Sequence, residues 1–215
     1  MNFPTVCLLC HSNDTDKYHQ DCRRIYIRCH NCDLIHVPPK YHLSPEKEKM
    51  RYDLHQNSSN DLRYRSFLEE ILNPTIEIVP RGSKGLDYGS GPEPVLTEMF
   101  RKKGFDMESY DLHYADNPDV LQKKYDFLVC CETIEHFSKP RKEWDRFLAL
   151  TKPGGVIAVK TELMHKTRDF TKWHYIWDET HVCFFSEKTF QWLANASSLF
   201  VEYFGNTAIF QGLSR

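Results

Sequence analysis

The residues best suited to chemistry in this 215-residue chain are its eight cysteines, five of which fall within the first 32 residues. Cys7-Leu-Leu-Cys10 and Cys29-His-Asn-Cys32 are two Cys-x-x-Cys turns separated by 18 residues. Each turn sets two thiolates on one side of a tight loop, and two such turns complete a closed tetrahedral zinc site. Cys22 and His30 are left over and read as non-ligands. Incidental buried thiols or a redox pair are the other readings of this spacing. The opening Met1-Asn2-Phe3-Pro4 has neither a basic nor an apolar export stretch, which predicts a cytoplasmic protein. In that reducing compartment clustered cysteines serve as metal ligands before disulfides.

A second cluster is Glu132-Thr-Ile-Glu135-His136, followed by Trp173-His-Tyr-Ile-Trp-Asp-Glu-Thr-His181. A helix beginning at Glu132 would place Glu132, Glu135 and His136 on one face. Two carboxylates and two imidazoles could hold a divalent ion that acidifies a hydroxyl, or act as general bases. Glu135 and His136 capping their helix is the plainer alternative, with His181 or His174 then acting alone as base. Trp173, Tyr175, Trp177, Phe184 and Phe185 could wall a substrate pocket, although aromatics at this density commonly form core.

The third feature is Asp87-Tyr-Gly89-Ser90-Gly91-Pro-Glu-Pro, between a strand-like and a helix-like stretch. Gly89 and Gly91 allow close backbone approach to a ligand. Asp111-Leu112 follows about 20 residues later, where a carboxylate can accept both hydroxyls of a ribose. Loop and acid together point to a nucleoside-bearing cofactor, and the missing third glycine disfavours NAD.

The elements that must position these groups alternate. Arg24–Arg28 and Leu34–Val37 read as ribbon strands in a short segment that metal must stabilise. Residues 60–72 read as a helix ending at Asn73-Pro74. Strands are expected at 85–88, 106–110, 125–131 and 155–160, and helices at 94–103, 143–151 and 186–196. Residues 199–204 and 207–211 read as an antiparallel pair. This predicts an α/β fold with a doubly wound, mostly parallel, Rossmann-like sheet. A zinc-ribbon module is expected over residues 1–45 and the cofactor domain over 46–215.

Composition narrows the partners. A formal charge of −2, and seven Lys/Arg against six Asp/Glu in residues 1–50, exclude a generic nucleic-acid binder. No apolar run reaches the roughly 18 residues of a membrane span.

Asp87-x-Gly89-x-Gly91, Asp111, Glu132-Thr-Ile-Glu-His136 and Lys152-Pro-Gly-Gly155 together resemble class I S-adenosylmethionine-dependent methyltransferases over residues 50–211. The resemblance implies that the Gly89–Gly91 loop, with Asp87 and Ser90, lies under the methionine part of S-adenosylmethionine. It implies that Asp111 holds the ribose and that Leu112 and Cys131 line the pocket. Tyr52-Asp-Leu-His55-Gln-Asn57 is similar to the segment that closes over the cofactor, while packing beneath the ribbon would explain Tyr52 and His55 equally. The Glu-x-x-Glu-His run with a later histidine resembles the divalent-metal site of small-RNA 2′-O-methyltransferases and the motif of ubiquinone-pathway O-methyltransferases. That resemblance implies a catalytic set of Glu132, Glu135, His136 and His181, with a second divalent ion. Only 13 residues separate Asp111 from Tyr125, so one edge strand of the family's sheet is expected to be missing.

The expected activity is therefore methyl transfer, to a hydroxyl of a small metabolite or sugar-like acceptor. Two other readings stand beside it. One is an RNA methyltransferase, which would need a basic stripe of Arg23, Arg24 and Arg28 leading to the pocket. The other is a non-catalytic binding or adaptor protein, in which the ribbon docks a partner.

Overall fold

In a computed structural model, residues 5–54 and 59–212 are described; His55, expected near the cofactor, lies outside them. Two sheets organise the chain. The larger has six strands: β4 (Lys84–Tyr88), β5 (Asp106–Tyr110), β6 (Tyr125–Cys131), β7 (Thr151–Lys160), β9 (Leu199–Phe204) and β10 (Thr207–Gly212). Their order is β5-β4-β6-β7-β10-β9, parallel through β7 and antiparallel for the last two. This is the expected Rossmann-like sheet. It ends at β5, because the short stretch after Asp111 makes only an Asp111–Ala115 bridge and a 3-10 turn at Pro118–Gln122.

Helices cover both faces. Alternation along β6 sends Phe127 and Val129 into one core, with Leu68, Ile71 and Phe100 from α2 (Leu62–Ile78) and α3 (Val95–Lys102). Leu128 and Cys130 enter the other, with Trp144, Phe147 and Phe190 from α4 (Pro140–Leu150) and α5 (Glu187–Ala196). A strand buried on both faces needs this unbroken apolar run. No helix among the described residues is long and apolar enough to cross a membrane.

Helix α2 does not end at Pro74 as its sequence suggests but continues to Ile78. A proline has no N–H, so the carbonyl four residues back loses its helical donor. That carbonyl belongs to Glu70, and the Thr207 hydroxyl donates to it at 3.0 Å from β10. The helix survives because a distant strand replaces the lost hydrogen bond.

The smaller sheet is antiparallel, in the order β1 (Thr15–Gln20), β2 (Ile25–Cys29), β3 (Ile35–His36) and β8 (Cys183–Phe184). Strands β2 and β3 are the two expected in the ribbon; β1 adds a third, and the fourth comes from the far end of the chain. Ribbon side chains Leu9, Tyr26, Leu34 and Val37 share one buried core with Phe170, Trp173, Phe184 and the large sheet. Ser186 at the N-terminus of α5 donates to Asp33, just after the second cysteine turn, at 2.7 Å. Helix α1 (Pro45–Tyr52) joins the two sheets and buries no residue fully.

Phe184 sits at this junction, its ring 5.8 Å from Tyr26, 5.6 Å from Phe170 and 5.7 Å from Trp173. Replacing it with alanine leaves a cavity that the two sheets cannot close independently. Phe184→Ala is expected to cost about 3–5 kcal/mol in urea unfolding; a loss below about 1 kcal/mol would show that the ribbon merely rests on the sheet.

Candidate active site

The glycine loop lies at the carboxyl ends of β4 and β5, where open parallel sheets bind ligands. Asp87, fully buried, accepts from the Thr97 hydroxyl at 2.8 Å and so ties the strand to α3. Burial pushes its carboxyl up to about 6. Gly89 takes φ +86°, and a Cβ there would lie 2.3 Å from the side chain of Thr133. Both constraints demand glycine at this position. Gly91, at φ +69°, has open space where a Cβ would stand. Its N–H donates to Asp111 at 2.9 Å, while the other Asp111 oxygen accepts from the His113 and Tyr114 amides. Asp111 is thus locked in place from two sides, and the oxygen facing Gly91 keeps a lone pair for a hydroxyl donor.

The Ser90 hydroxyl is buried without a hydrogen-bond partner among the described residues. A buried polar group left unpaired is costly, and such groups mark places where something else binds. With the opening beside Gly91, it fits a loop built to receive a polar ligand. Tyr52, at the end of α1, lies against His113 on the cofactor side and His136 on the other, with ring centroids 5.5 and 5.2 Å apart. Leu112 is exposed at the rim, and Cys131 is half-buried at the end of β6.

Residues 132–136 depart from the expected helix. Glu132 is left-handed at φ +46°, residues 134–136 form a single 3-10 turn, and the helix begins only at Pro140. A non-glycine residue held left-handed is strained, and such strain concentrates at functional positions. Glu132 consequently points away from the imidazoles. Its carboxyl lies 3.2 Å from the buried Lys160 ammonium and 3.0 Å from the Tyr175 hydroxyl. The Lys160 ammonium sits 3.3 Å above the Phe67 ring and 3.4 Å from Glu70.

Glu135, by contrast, meets both histidines: ligand-capable atoms of Glu135, His136 and His181 all lie within 4.8 Å of one another. Its oxygens accept from the Thr161 hydroxyl at 3.1 Å and from the Tyr175 hydroxyl. Burial raises both carboxyls, and the neighbouring Glu135 charge helps push Glu132 up to about 8. The imidazoles are held the opposite way. Burial lowers His136, and burial with the adjacent His136 brings His181 down to about 3. His136 Nδ1 lies 3.2 Å from the Thr180 carbonyl, and His181 Nδ1 lies 2.7 Å from the Tyr175 carbonyl. A carbonyl only accepts, so each Nδ1 carries the proton and each Nε2 keeps a bare lone pair. Two neutral imidazoles so oriented, beside a carboxylate, can take a proton or ligate a cation.

Tyr175, Thr161 and Lys160 escaped the sequence reading as site residues. Tyr175 stood among the aromatics of a possible wall, and the other two ended a strand, with no local signal of their partners. His174 pairs with Glu162 at 3.3 Å and is absent from the cluster.

The four ribbon cysteines do converge. Cys7 and Cys32 sulfurs lie 3.5 Å apart, Cys10 and Cys29 3.4 Å, and all four fall within 4.8 Å. A Zn–S bond of about 2.3 Å implies a tetrahedron edge of about 3.8 Å, so the cage could hold that ion. Cys7 falls to about 5 through the hydrogen bond from Cys32, whereas burial pushes Cys29 up to about 12. Four thiolates, three of them buried, cannot share this space without a cation between them. Cys22 is exposed, and His30 faces Asp16 at 3.3 Å. The fully buried Cys130 has its thiol pushed well up by burial.

Comparison with known proteins supplies the family. A methyltransferase-domain family model matches residues 58–201, 144 of the 215 residues. The fold is similar to that of Streptomyces venezuelae DesVI, at 14% identity and TM-score 0.53, covering 80% of this chain and 100% of that one. It is also similar to a Haemonchus contortus phosphoethanolamine N-methyltransferase 2 in complex with phosphomonomethylethanolamine and S-adenosylhomocysteine. That match has 16% identity and TM-score 0.50, over 64% of this chain and 38% of the other. The mitomycin 7-O-methyltransferase MmcR shares the fold at 12% identity and TM-score 0.51, over 78% of this chain and 57% of that chain. This chain therefore spans less than two thirds of the length of two of these three. No curated protein matches the sequence. With the match over two thirds of its length, laid on this sheet and this glycine loop, the chain belongs to the methyltransferase-domain family.

Proposed function

We propose that the protein methylates a hydroxyl of a small, metabolite- or sugar-like acceptor at the cluster formed by Glu135, His136 and His181. The observation that carries this reading is the pair of neutral imidazoles with bare Nε2 atoms beside a buried carboxylate. A hydroxyl is a poor nucleophile until its proton has somewhere to go, and this cluster provides that place. S-adenosylmethionine, when bound, supplies an electrophilic methyl on sulfur. Asp111 would hold its ribose, Ser90 and Gly91 its polar tail, and Leu112, Cys131 and Tyr52 the walls. The Nε2 of His136 would accept the proton that the acceptor hydroxyl loses, His181, held down to about 3, being the weaker base. Glu132 acts at one remove, fixing Tyr175 and Lys160.

The same three residues, Glu135, His136 and His181, would also hold a divalent cation, whose Lewis acidity would make the acceptor oxygen more nucleophilic. The carbonyls behind both Nδ1 atoms are the outer-shell partners that metal-binding imidazoles require. Zinc in the Cys7, Cys10, Cys29 and Cys32 cage is the structural ion in this reading, which keeps residues 1–45 as the ribbon and 46–215 as the transferase unit.

The RNA reading loses its support in the arginines. Arg23 and Arg24 spend their donors on carbonyls of residues 176–179, and Arg28 pairs with Asp33. No free basic stripe remains at these three positions. Small acceptors also appear in the names of two structures sharing the fold, a phosphoethanolamine and a mitomycin methyltransferase.

Titration calorimetry with S-adenosylhomocysteine should show binding that Asp111→Ala weakens at least tenfold, the ribose hydrogen bonds being worth about 1.5–3 kcal/mol. Unchanged affinity in that variant would remove Asp111 from the cofactor site. Elemental analysis should find one zinc per chain, lost on Cys29→Ser, and a second divalent ion, lost on His181→Ala. A single ion that survives His181→Ala unchanged would reduce the imidazole cluster to general-base chemistry.

A further inference from the structure

The carbonyls of residues 175–180 form an unusual series. Tyr175 accepts from His181 Nδ1 at 2.7 Å, and Thr180 accepts from His136 Nδ1 at 3.2 Å. The four carbonyls between them all turn toward the ribbon. Arg24 donates to Ile176 at 3.1 Å, Asp178 at 2.9 Å and Glu179 at 2.9 Å. Arg23 donates to Trp177 at 3.1 Å and Ile176 at 3.2 Å. One short peptide thus orients both site imidazoles with its ends and is gripped by the ribbon along its middle.

The grip is itself built from ribbon residues. The Asp21 carboxylate accepts from the Arg23 and Arg24 amides at 2.7 and 2.8 Å, shaping the turn between β1 and β2. Tyr26 donates to the same carboxylate at 3.0 Å and accepts from Arg24 Nε at 2.9 Å. Arg24 is only 3% exposed. A guanidinium is a planar fork of five donors and can span three carbonyls at once, which an ammonium cannot. On the other side of the peptide, the Val182 amide donates to Glu135 and its carbonyl accepts from Val37 of the ribbon, both at 2.9 Å.

We propose that the four-cysteine ribbon is the positioning scaffold of His136 and His181, and that Arg24 is the positioning residue through which it acts. The ribbon does not need to touch the acceptor. Zinc held by its four cysteines would stiffen a hairpin, the hairpin turn aims two arginines, and the arginines fix the peptide whose end carbonyls set both imidazole tautomers. The proposal rests on the reading of those imidazoles as the site's bases or ligands, but its geometry can be tested separately.

The test uses the full chain loaded with one equivalent of zinc and labelled with nitrogen-15, read by long-range proton–nitrogen correlation of the histidine rings. Signals of His136 and His181 are assigned from the His136→Gln and His181→Gln spectra. The wild type should show both rings as the Nδ1–H tautomer. Arg24→Met should lose that pure state in both rings while its zinc content and S-adenosylhomocysteine affinity stay within twofold of wild type. Arg24→Lys should fail to restore it. Both rings keeping the Nδ1–H tautomer in folded Arg24→Met would overturn the proposal. If that variant does not fold, Arg23→Met, at a more exposed position, should shift both rings, and unchanged rings there would overturn it equally. Altered tautomers with undiminished methyl transfer would leave the scaffold standing and sink the catalytic reading of the imidazoles instead.

Discussion

Six consecutive carbonyls, Tyr175 through Thr180, all meet protein donors in and around a half-buried loop, and much of the molecule is arranged to supply them. An unpaired buried carbonyl costs free energy comparable to a lost hydrogen bond. Regular structure would satisfy such groups by a ladder, but this segment makes only a 3-10 turn at His174–Trp177. The donors therefore come from side chains: two arginines of the ribbon and two imidazoles of the site. The four-cysteine ribbon and the large sheet meet at this peptide, beside strand β8 and the core that they share.

Charge follows the same economy of space. Glu135 is buried with Glu132 half-buried beside it, and fixed polar partners answer them: Lys160, Tyr175 and Thr161. Burial favours the neutral form of every titratable group, raising carboxyls and lowering imidazoles. The directions found here, Glu132 and Glu135 up, His136 and His181 down, leave uncharged imidazoles facing carboxyl groups. Such a set is ready to receive either a proton or a cation, which is the demand that a hydroxyl acceptor makes. Across β4, Gly89 is forced by Thr133, so the cofactor loop and the 132–136 turn are fitted to each other.

Features set by near neighbours in the chain were legible in the sequence. The cysteine turns, the Gly89-Ser-Gly91 loop, Asp111 and the doubly buried β6 all announce themselves within a few residues, and the missing edge strand followed from loop length alone. What depended on distant partners was not legible. Helix α2 passes Pro74 because Thr207 supplies a donor from 137 residues away. Glu132 was expected on a helix with Glu135, yet its left-handed backbone turns it to Lys160. Arg23 and Arg24 stayed open for the basic stripe that an RNA reading requires, because nothing local reveals that carbonyls 152 or more residues later use up their donors. Strand β8 pairs with the ribbon across a similar separation. In each case a buried polar group is satisfied by tertiary contact, and propensity carries no record of it.

The central claim, methyl transfer to a small hydroxyl acceptor, is most directly tested with tritiated methyl S-adenosylmethionine. The labelled cofactor is offered with the protein to a cell extract split into small molecules, RNA and protein. The account predicts label in the small-molecule fraction, on an oxygen, and lost when His136 and His181 are replaced together by glutamine. Label confined to RNA or protein, or undiminished transfer by that double variant, would contradict it.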